Sequence, residues 1–219
     1  NNLKLRASYG QVGNDVYTVG GVAQRFLYEE KWSQISNDYI FGTSGKSGIY
    51  ETQYPNYGVT WERAHKYNVG LEFGLWNGLL NGNIDLFHEK RNDILTNYLT
   101  RPEWVGVTMA AGNLGKTVNS GFEIELKHNN HIGKDFQYNV GLTFSHAKNE
   151  IKNMDEPALK TDYRKREGHP IGQYYGLVCD GFVTAADVAD PNFPTSTFGN
   201  VQVGDLKYRD MNNDGFIDE

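Results

Sequence analysis

The chain has 219 residues, a formal net charge of −6, 38% hydrophobic residues, 13% aromatic residues and a single cysteine. The acidic balance and the lack of a basic stripe argue against nucleic acid as a partner, and no apolar run approaches the roughly eighteen residues of a membrane helix. Cys179 alone excludes an internal disulfide framework, and we interpret it as a small apolar residue.

The chain opens on a predicted strand at 3–9. Its apolar positions alternate with polar ones and are Leu3, Leu5, Ala7 and Tyr9. No signal peptide precedes this strand, so we expect the sequence to be a fragment of a longer exported protein. Residues 10–58 carry glycine and serine clusters and are predicted to form a long outer loop, with short strand pieces near 25–32 and 49–53.

A first hairpin is predicted from strands at 60–76 and 79–95, joined at the tight turn Asn77-Gly78. The first of these strands places five apolar side chains on one face: Tyr67, Val69, Leu71, Phe73 and Leu75. Its intervening residues are Asn, Gly or Glu, and a period of two residues is typical of a strand with one apolar and one polar face.

A second outer loop, at 96–114, leads to a second hairpin with strands at 116–128 and 135–149. The apolar faces of these two strands consist of Phe122, Ile124, Leu126, Phe136, Tyr138, Val140, Leu142 and Phe144. Phe136 and Tyr138 near the short turn, and Phe144 nearer the other end, are predicted to form two aromatic girdles. Residues 150–219 are predicted to form a further long loop region outside the sheet.

The connections sort by length, because short turns join the strands at one end and long loops join them at the other. This asymmetry is typical of an outer-membrane β-barrel. The polar faces carry charges that would point into a wide lumen: Glu72, Asp85, Glu89, Glu123, Glu125 and Lys127. The sequence therefore predicts an all-β fold, an antiparallel transmembrane β-barrel segment of about five long strands with long extracellular loops.

Six stretches resemble the SusC/RagA family of TonB-dependent outer-membrane transporters of Bacteroidetes, and they follow the order of that family. They lie at 3–10, 60–72, 84–95, 113–123 (beginning Asn113-Leu114-Gly115), 168–176 (beginning Gly168-His169-Pro170) and 204–218. The resemblance covers nearly the whole chain and places residues 1–149 in part of the family's barrel.

The resemblance implies a barrel of about 22 strands, closed by an N-terminal plug. It implies a nutrient importer for glycan or peptide oligomers in the cell outer membrane, with a SusD-like surface lipoprotein as partner. TonB would supply energy through a segment absent from this chain. Lipid and lipopolysaccharide would surround the barrel, an oligosaccharide or peptide would be the ligand, and no enzymatic activity is expected.

The sharpest chemical motif lies near the end of the chain and follows the first half of an EF-hand-type loop, D-x-[DN]-x-[DN]-G. Its candidate Ca²⁺ ligands are Asp210, Asn212, Asp214, the carbonyl of Phe216, and Asp218. Oxygen ligands at alternate positions suit a hard cation, and Gly215 permits the sharp turn. An Asx-rich surface turn is an equally good interpretation of the same residues.

Loop aromatics are candidates for ligand stacking, above all Trp32 and Trp104. The others are Tyr50, Tyr54, Tyr57, Tyr163 and Phe193. Anchoring of loops is the competing interpretation for each. His169 lacks a nucleophile or a paired acid at a recognisable spacing, so we expect a structural role, with a strand at Tyr174–Phe182 packing the loop on the barrel mouth. The basic run Arg164-Lys165-Arg166 is interpreted as a solvated loop.

Two other functions are compatible with parts of the sequence. A soluble β-sandwich carbohydrate-binding module with a calcium loop would show the same alternation, but a second sheet would bury its apolar faces. A secreted glycoside hydrolase would need carboxylates that converge at strand ends, and the sequence does not indicate such a pair.

Overall fold

The structure is a computed structural model that describes residues 1–100, 103–158 and 164–218. The strands are β1 Asn2–Asn14, β2 Thr18–Val19, β3 Val22–Ala23, β4 Lys31–Phe41, β5 Ser44–Tyr54, β6 Glu62–Leu75, β7 Leu80–Thr96, β8 Thr108–Met109, β9 Gly112–Ile132, β10 Phe136–Asn153, β11 Cys179–Phe182, β12 Thr195–Ser196, β13 Leu206–Tyr208 and β14 Phe216–Ile217. The helical segments are α1 Ala185–Ala189 and the 3-10 turns Trp76–Gly78 and Glu103–Val105.

The long strands form one five-stranded sheet in the order β1-β6-β7-β9-β10, with every neighbouring pair antiparallel. This confirms the predicted all-β, antiparallel sheet of five long strands. Each of the five has 13 residues or more, which exceeds the roughly 9–11 that a transmembrane strand needs.

The observed strands are longer than the alternation alone predicts. β1 continues beyond residue 9 to Asn14, because Gly10–Asn14 pair in register with Lys66–Glu62 of β6. β9 starts at Gly112 and ends at Ile132, beyond both bounds of the predicted strand at 116–128. At these ends polar residues stand on both faces, so the pairing of the backbone, rather than the hydrophobic pattern, sets the strand ends.

The predicted outer loop at 10–58 contains a hairpin of β4 and β5, which β8 extends to a three-stranded sheet. The strand piece predicted near 49–53 lies within β5, whereas the piece predicted near 25–32 mostly precedes β4. A small core lies beside this hairpin and consists of Leu27, Ala110 and Ala111, with Tyr17, Val59 and Leu95 packed against it.

Short and long connections lie at opposite ends of the five-stranded sheet, as predicted. Trp76–Gly78 joins β6 to β7, and its Asn77 adopts a left-handed φ of 56° that asparagine tolerates better than most residues. Three residues, 133–135, join β9 to β10. We call this end of the sheet the short-turn end and the other the loop end.

One face of the sheet, here called the outward face, carries apolar rows that cross all five strands. The central row is Leu5, Leu71, Ile84, Ile124 and Phe144. Leu3 and Leu5 are each 74% exposed, and Leu142 is 61% exposed. A sandwich would bury these side chains under a second sheet, so the sandwich interpretation is wrong.

Aromatic side chains border this apolar band at both ends, but not all where the sequence placed them. At the short-turn end, Tyr138 stacks on His128 with ring centroids 5.5 Å apart, next to Phe136. Phe144 lies in the central row rather than at the loop end. Tyr9 and Tyr67 border the band there instead, because the strands extend further than predicted.

Contacts divide the chain into two compact units, Asn1–Gln173 and Tyr174–Glu219. The first unit extends past residue 149 because the segment after β10 folds back along it. Ile151 and the segment at 168–169 exchange two backbone hydrogen bonds of 2.8 and 3.0 Å. Asn149 Oδ1 also accepts a hydrogen bond from the Ile171 amide at 2.7 Å.

The second unit contains α1 and two small sheets, β11-β13 and β12-β14. Val183 and Ile217 are its most buried side chains, at 2% and 6% exposure. Strand is limited to β11 within the predicted strand at Tyr174–Phe182, because its partner β13 is only three residues long. No helix in the described parts of the chain is long and apolar enough to cross a membrane.

Candidate functional site

The inward face of the sheet, opposite the apolar band, carries a chain of ion pairs across β1, β6 and β7. Arg6 lies between two carboxylates, with Nε 3.0 Å from Glu72 Oε1 and Nη2 3.0 Å from Asp85 Oδ2. Lys4 Nζ lies 3.4 Å from Glu72 Oε2. Asn83 completes the group by accepting from Arg6 Nη2 at 2.9 Å and donating to Asp85 at 2.8 Å.

A second charged group lies on the same face nearer the loop end. Arg91 Nη1 and Nη2 contact Glu62 and Glu89 at 2.8 and 2.7 Å, and Lys66 Nζ lies 3.3 Å from Glu89. The two carboxylate side chains are only 12% and 19% exposed. Charges this well paired tolerate burial, as required of a lumen that is filled or narrow.

The predicted inward charges on β9 lie on the same face. Lys127 pairs with Glu125 at 2.5 Å, whereas Glu123 is exposed and has no ion-pair partner among the residues that the structure describes. The inward face thus offers both paired charges and an open carboxylate to whatever occupies the lumen.

Two of the candidate stacking aromatics converge on one carboxylate next to the β4–β5 hairpin. Trp32 Nε1 donates to Glu30 Oε2 at 3.4 Å, and the Tyr57 hydroxyl donates to Glu30 Oε1 at 3.0 Å. The rings are 57% and 76% exposed. The hydrogen bond to Glu30 raises the pKa of the Tyr57 phenol, with smaller contributions from desolvation and from the charges of Glu30 and Glu51. We call Glu30, Trp32 and Tyr57 the aromatic–acid cluster.

The other aromatic candidates do not join this cluster. Trp104 lies in the Glu103–Val105 turn and is 86% exposed, and no hydrogen bond or ring contact in the described structure joins it to Trp32. Tyr50 and Tyr54 lie on β5 and are about half exposed. Phe193 belongs to the second unit, where Lys207 Nζ lies 5.7 Å from its ring centroid. Tyr163 lies outside the described residues.

The Asp/Asn loop of the second unit is held together by its own side chains. Asp210 accepts hydrogen bonds from the amides of Asn213 and Gly215 at 2.7 and 2.8 Å, and Asn212 Nδ2 donates to Asp214 at 2.9 Å. Partial desolvation opposes ionisation of Asp210, but these amide donors outweigh it and lower its pKa. These contacts are those of an Asx-rich turn.

The remaining predicted ligands flank this turn. The Phe216 amide donates to Asp214 Oδ1 at 2.9 Å at the start of β14, and Asp218 follows that strand and is exposed. In the described parts of the chain no group of three or more His, Cys, Asp or Glu side chains is gathered for a metal. The oxygen donors suit Ca²⁺ by their chemistry, and only the side chains of Asp210, Asn212 and Asp214 lie within one hydrogen-bonded network.

His169 and the basic run make structural contacts. The His169 carbonyl accepts from the Ile151 amide, and its ring lies 3.1 Å from Gln173 Oε1. The Arg166 amide donates to the carboxylate of Glu156 at 2.8 Å. Arg164 is exposed, as expected for a solvated loop residue.

Two structural carboxylates had no sequence signal. Asp155, at a φ of 57°, accepts from the Leu99 amide at 3.1 Å and from Thr100 Oγ1 at 2.9 Å, joining the segments that follow β7 and β10. Asp187 caps α1 through Thr184 and contacts Lys207 Nζ at 2.5 Å, which with the Thr184 bonds lowers its pKa to about 2.

Comparison with known proteins accounts for the two faces of the sheet. Residues 1–216 match the family model described as TonB dependent receptor-like, beta-barrel. The chain belongs to this TonB-dependent receptor β-barrel family. An apolar outward face and a charged inward face are what a segment of such a barrel presents to lipid and to its lumen.

Relatives and solved structures agree with the family. The chain is 27% identical to TonB-dependent receptor P3 of Formosa agariphila over 98% of this chain and 22% of that protein. It is 29% identical to TonB-dependent receptor SusC of Bacteroides thetaiotaomicron over 70% of this chain and 15% of that protein. It therefore spans about a fifth of the curated relatives it matches.

The fold has close counterparts among transporter structures. The RagAB peptide importer in its closed-closed state matches 86% of this chain and 20% of the importer chain, with a TM-score of 0.60 at 21% identity. A second RagAB peptide transporter structure matches with a TM-score of 0.56 at 20% identity. These likenesses show the barrel fold of the family.

Proposed function

We propose that this chain is the barrel-wall segment of a TonB-energised importer in the outer membrane of a Gram-negative, Bacteroidetes-like cell. The observation that carries the proposal is the opposition of the two faces of one sheet. The outward face is apolar over rows that cross all five strands, and the inward face carries ion pairs such as Arg6–Asp85. A lipid phase outside and a polar lumen inside satisfy both faces at once.

The imported material is proposed to be an oligosaccharide or a peptide, captured with a SusD-like surface lipoprotein. The names of the relatives SusC and RagAB support these two classes. The aromatic–acid cluster supports them as well, since exposed Trp32 and Tyr57 offer flat faces for a sugar ring or an aromatic side chain next to a carboxylate acceptor. Trp104 is a second proposed contact, on its exposure alone.

The test uses the full-length parent protein in its own cell. Deletion of the parent gene should abolish growth on, and uptake of, labelled oligosaccharides or labelled peptides of one class, and restoring the gene should restore uptake. Uptake that also stops when TonB is removed supports the energy source. Unchanged uptake of every tested oligomer after deletion would overturn the importer proposal. Immunoprecipitation of the parent should recover the lipoprotein, and its absence would remove that partner.

Calcium remains a separate part of the proposal. Ca²⁺ would be held by the side chains of Asp210, Asn212 and Asp214, the Phe216 carbonyl, and Asp218 directly or through water. Support comes from the spacing and from the way Asp210 already shapes the turn around Gly215. The ion would stiffen an exposed loop and would supply no chemistry to transport.

A further inference from the structure

A row of side chains marks the loop end of the apolar band on the outward face. In register, it runs Tyr9, Tyr67, His88, Ser120 and Lys148 across the five strands. The rings of Tyr9 and Tyr67 are 5.0 Å apart, and His88 Nδ1 lies 2.7 Å from Ser120 Oγ. Aromatic and polar groups of this kind sit where hydrocarbon meets headgroups.

Cationic side chains of the outward face begin in this row and continue toward the loop end. Lys90 stands in the next row, paired with Val118, and Lys148 closes the tyrosine row. Lys116 lies two residues beyond Val118 on β9 and so shares its face. We call Lys90, Lys116 and Lys148 the outer lysine cluster.

These three lysines are not neutralised by ion pairs. Two other cations of the region are, since Arg63 pairs with Asp93 and Lys152 pairs with Glu150, each at 2.5 Å. Within the described parts of the chain no ion pair involves Lys90, Lys116 or Lys148, and all three are exposed. The loop end of the outward face thus has an uncompensated positive charge although the whole chain is acidic.

The short-turn end of the same face lacks such a cluster. Its border consists of His128, Asn130, Ile132, Phe136 and Tyr138, and no described strand residue there is lysine or arginine. Lys127 points inward and pairs with Glu125, and Lys134 lies in the connecting turn. Because the lysines occur at one border only, general solubility does not explain them, and an anionic partner at one leaflet does.

We infer that the outer lysine cluster binds the phosphate groups of a phosphorylated glycolipid, lipopolysaccharide, in the outer leaflet. The inference rests on the proposed outer-membrane placement with the loop end outside. Ammonium groups form strong charge-assisted hydrogen bonds to phosphate oxygens, and the tyrosine row beneath holds the acyl–sugar junction. The glycolipid would anchor the barrel wall at the height where its loops leave the membrane.

The experiment uses the full-length parent, purified in mild detergent and stripped of lipid. Lipopolysaccharide of known phosphate content is added back, and bound glycolipid per protein is counted by native mass spectrometry. The triple charge reversal K90E/K116E/K148E should weaken retention by about tenfold or more. The matched variant K134E, at the other end of the sheet, should stay within about twofold of the parent. Equal retention by the triple variant and the parent would overturn the inference.

Two further arms identify the ligand. Enzymatically dephosphorylated lipopolysaccharide should bind the parent as weakly as the intact glycolipid binds the triple variant, and equal binding of both forms would exclude phosphate recognition. Inorganic phosphate should fail to displace the glycolipid, and displacement at equal concentration would assign the site to a free anion instead. Heat-modifiable gel migration verifies that each variant is folded, and the milder K90Q/K148Q should show an intermediate loss.

Uptake assays keep the two proposals apart. The triple variant should still import the oligomer that the parent imports, because its changes lie on the outward face. A parent that imports nothing yet retains glycolipid through these lysines would overturn the importer proposal alone. A parent that imports normally and retains phosphorylated and dephosphorylated glycolipid equally would overturn only the lysine assignment.

Discussion

Arg6 Nη2 lies 3.0 Å from Asp85 Oδ2, although 79 positions separate these residues along the chain. β6 runs between their strands, and its residue at this point is Gly70, which is paired in register with both. A Cβ at Gly70 would lie 2.5 Å from Asp85 Oδ1 and 2.8 Å from Arg6 Nη2. The glycine therefore leaves the gap through which an ion pair bridges three strands.

Gly70→Val should separate this pair and lower the free energy of unfolding by about 1 kcal/mol, the upper range for a partly exposed ion pair. Urea unfolding of the full-length parent in lipid vesicles measures the loss. Arg6→Gln should cost a similar amount in the parent but little in the Gly70→Val background, since the pair is already broken there. Strictly additive losses would show that the gap at Gly70 does not serve the pair.

Gly121 predicts a more severe effect from a smaller change. A Cβ at this position would collide with the carbonyl oxygen of His146 and lie 2.5 Å from Phe87 Cζ, and a backbone atom cannot move aside as a side chain can. Gly121→Ala should cost about 1–3 kcal/mol, as overpacking does, whereas Gly141→Ala on the neighbouring strand has open space and should cost little. Equal unfolding curves for the two variants would contradict this contact.

Much of the sheet was predictable because a barrel strand repeats every two residues and its two faces meet different solvents. Leu5 and Leu71 declare their face by alternation alone, and the Asn77 turn declares the end of β6. Gly70 and Gly121 could not be assigned roles, because each serves a contact between residues far apart in sequence. The ends of β1 and β9 were missed since backbone pairing, not a hydrophobic pattern, extends them.

Asp187 predicts an acid-sensitive cap on α1. Lys207 and Thr184 hydrogen-bond its carboxylate and lower its pKa from 3.8 to about 2, so the folded state favours the ionised form. Its contribution to stability is present above about pH 4 and is lost as the pH falls toward 2. Hydrogen exchange of the 184–190 segment, corrected for intrinsic rates, should increase over that window.

Two variants check the assignment to Asp187. Lys207→Gln removes the largest cause of the shift, so the transition should move up toward pH 3.8. Asp187→Asn should abolish the transition and leave the segment less protected at every pH. A pH profile that is unchanged in Asp187→Asn would assign the transition to another group.

The aromatic–acid cluster predicts a split between stacking and hydrogen bonding. Trp32→Ala removes a ring that is 57% exposed and should weaken binding of the imported oligomer by about tenfold, in line with a lost stacking contact of 1–2 kcal/mol. Tyr57→Phe keeps the ring and removes only its bond to Glu30, so the loss should be smaller. Tyr174→Ala, at a residue that is 98% exposed in the second unit, is the control. Equal affinities in Trp32→Ala and the parent would remove the cluster as a ligand site.

Residue type identified candidates for these sites, and only the fold could group them. Trp32 and Tyr57 stand 25 positions apart (57 − 32), and the carboxylate that joins them, Glu30, had no motif of its own. Trp104 has the same chemistry but lies apart from that carboxylate. The Asp/Asn loop is the reverse case, since its spacing is local and its network follows from sequence, while the ion does not.

The Asp/Asn loop gives the last prediction, a calorimetric titration of the intact parent with Ca²⁺. Extracellular calcium loops bind in the range of about 10⁻⁴–10⁻³ M, so heat should be released in that range if the loop is a site. Asp210→Asn should abolish the heat, because it removes a ligand charge and also weakens the acceptor that holds the Gly215 and Asn213 amides. Asp205→Asn tests whether the loss is local, since that carboxylate accepts from Gln202 outside the loop. No heat at millimolar Ca²⁺ would leave these residues as an Asx-rich turn.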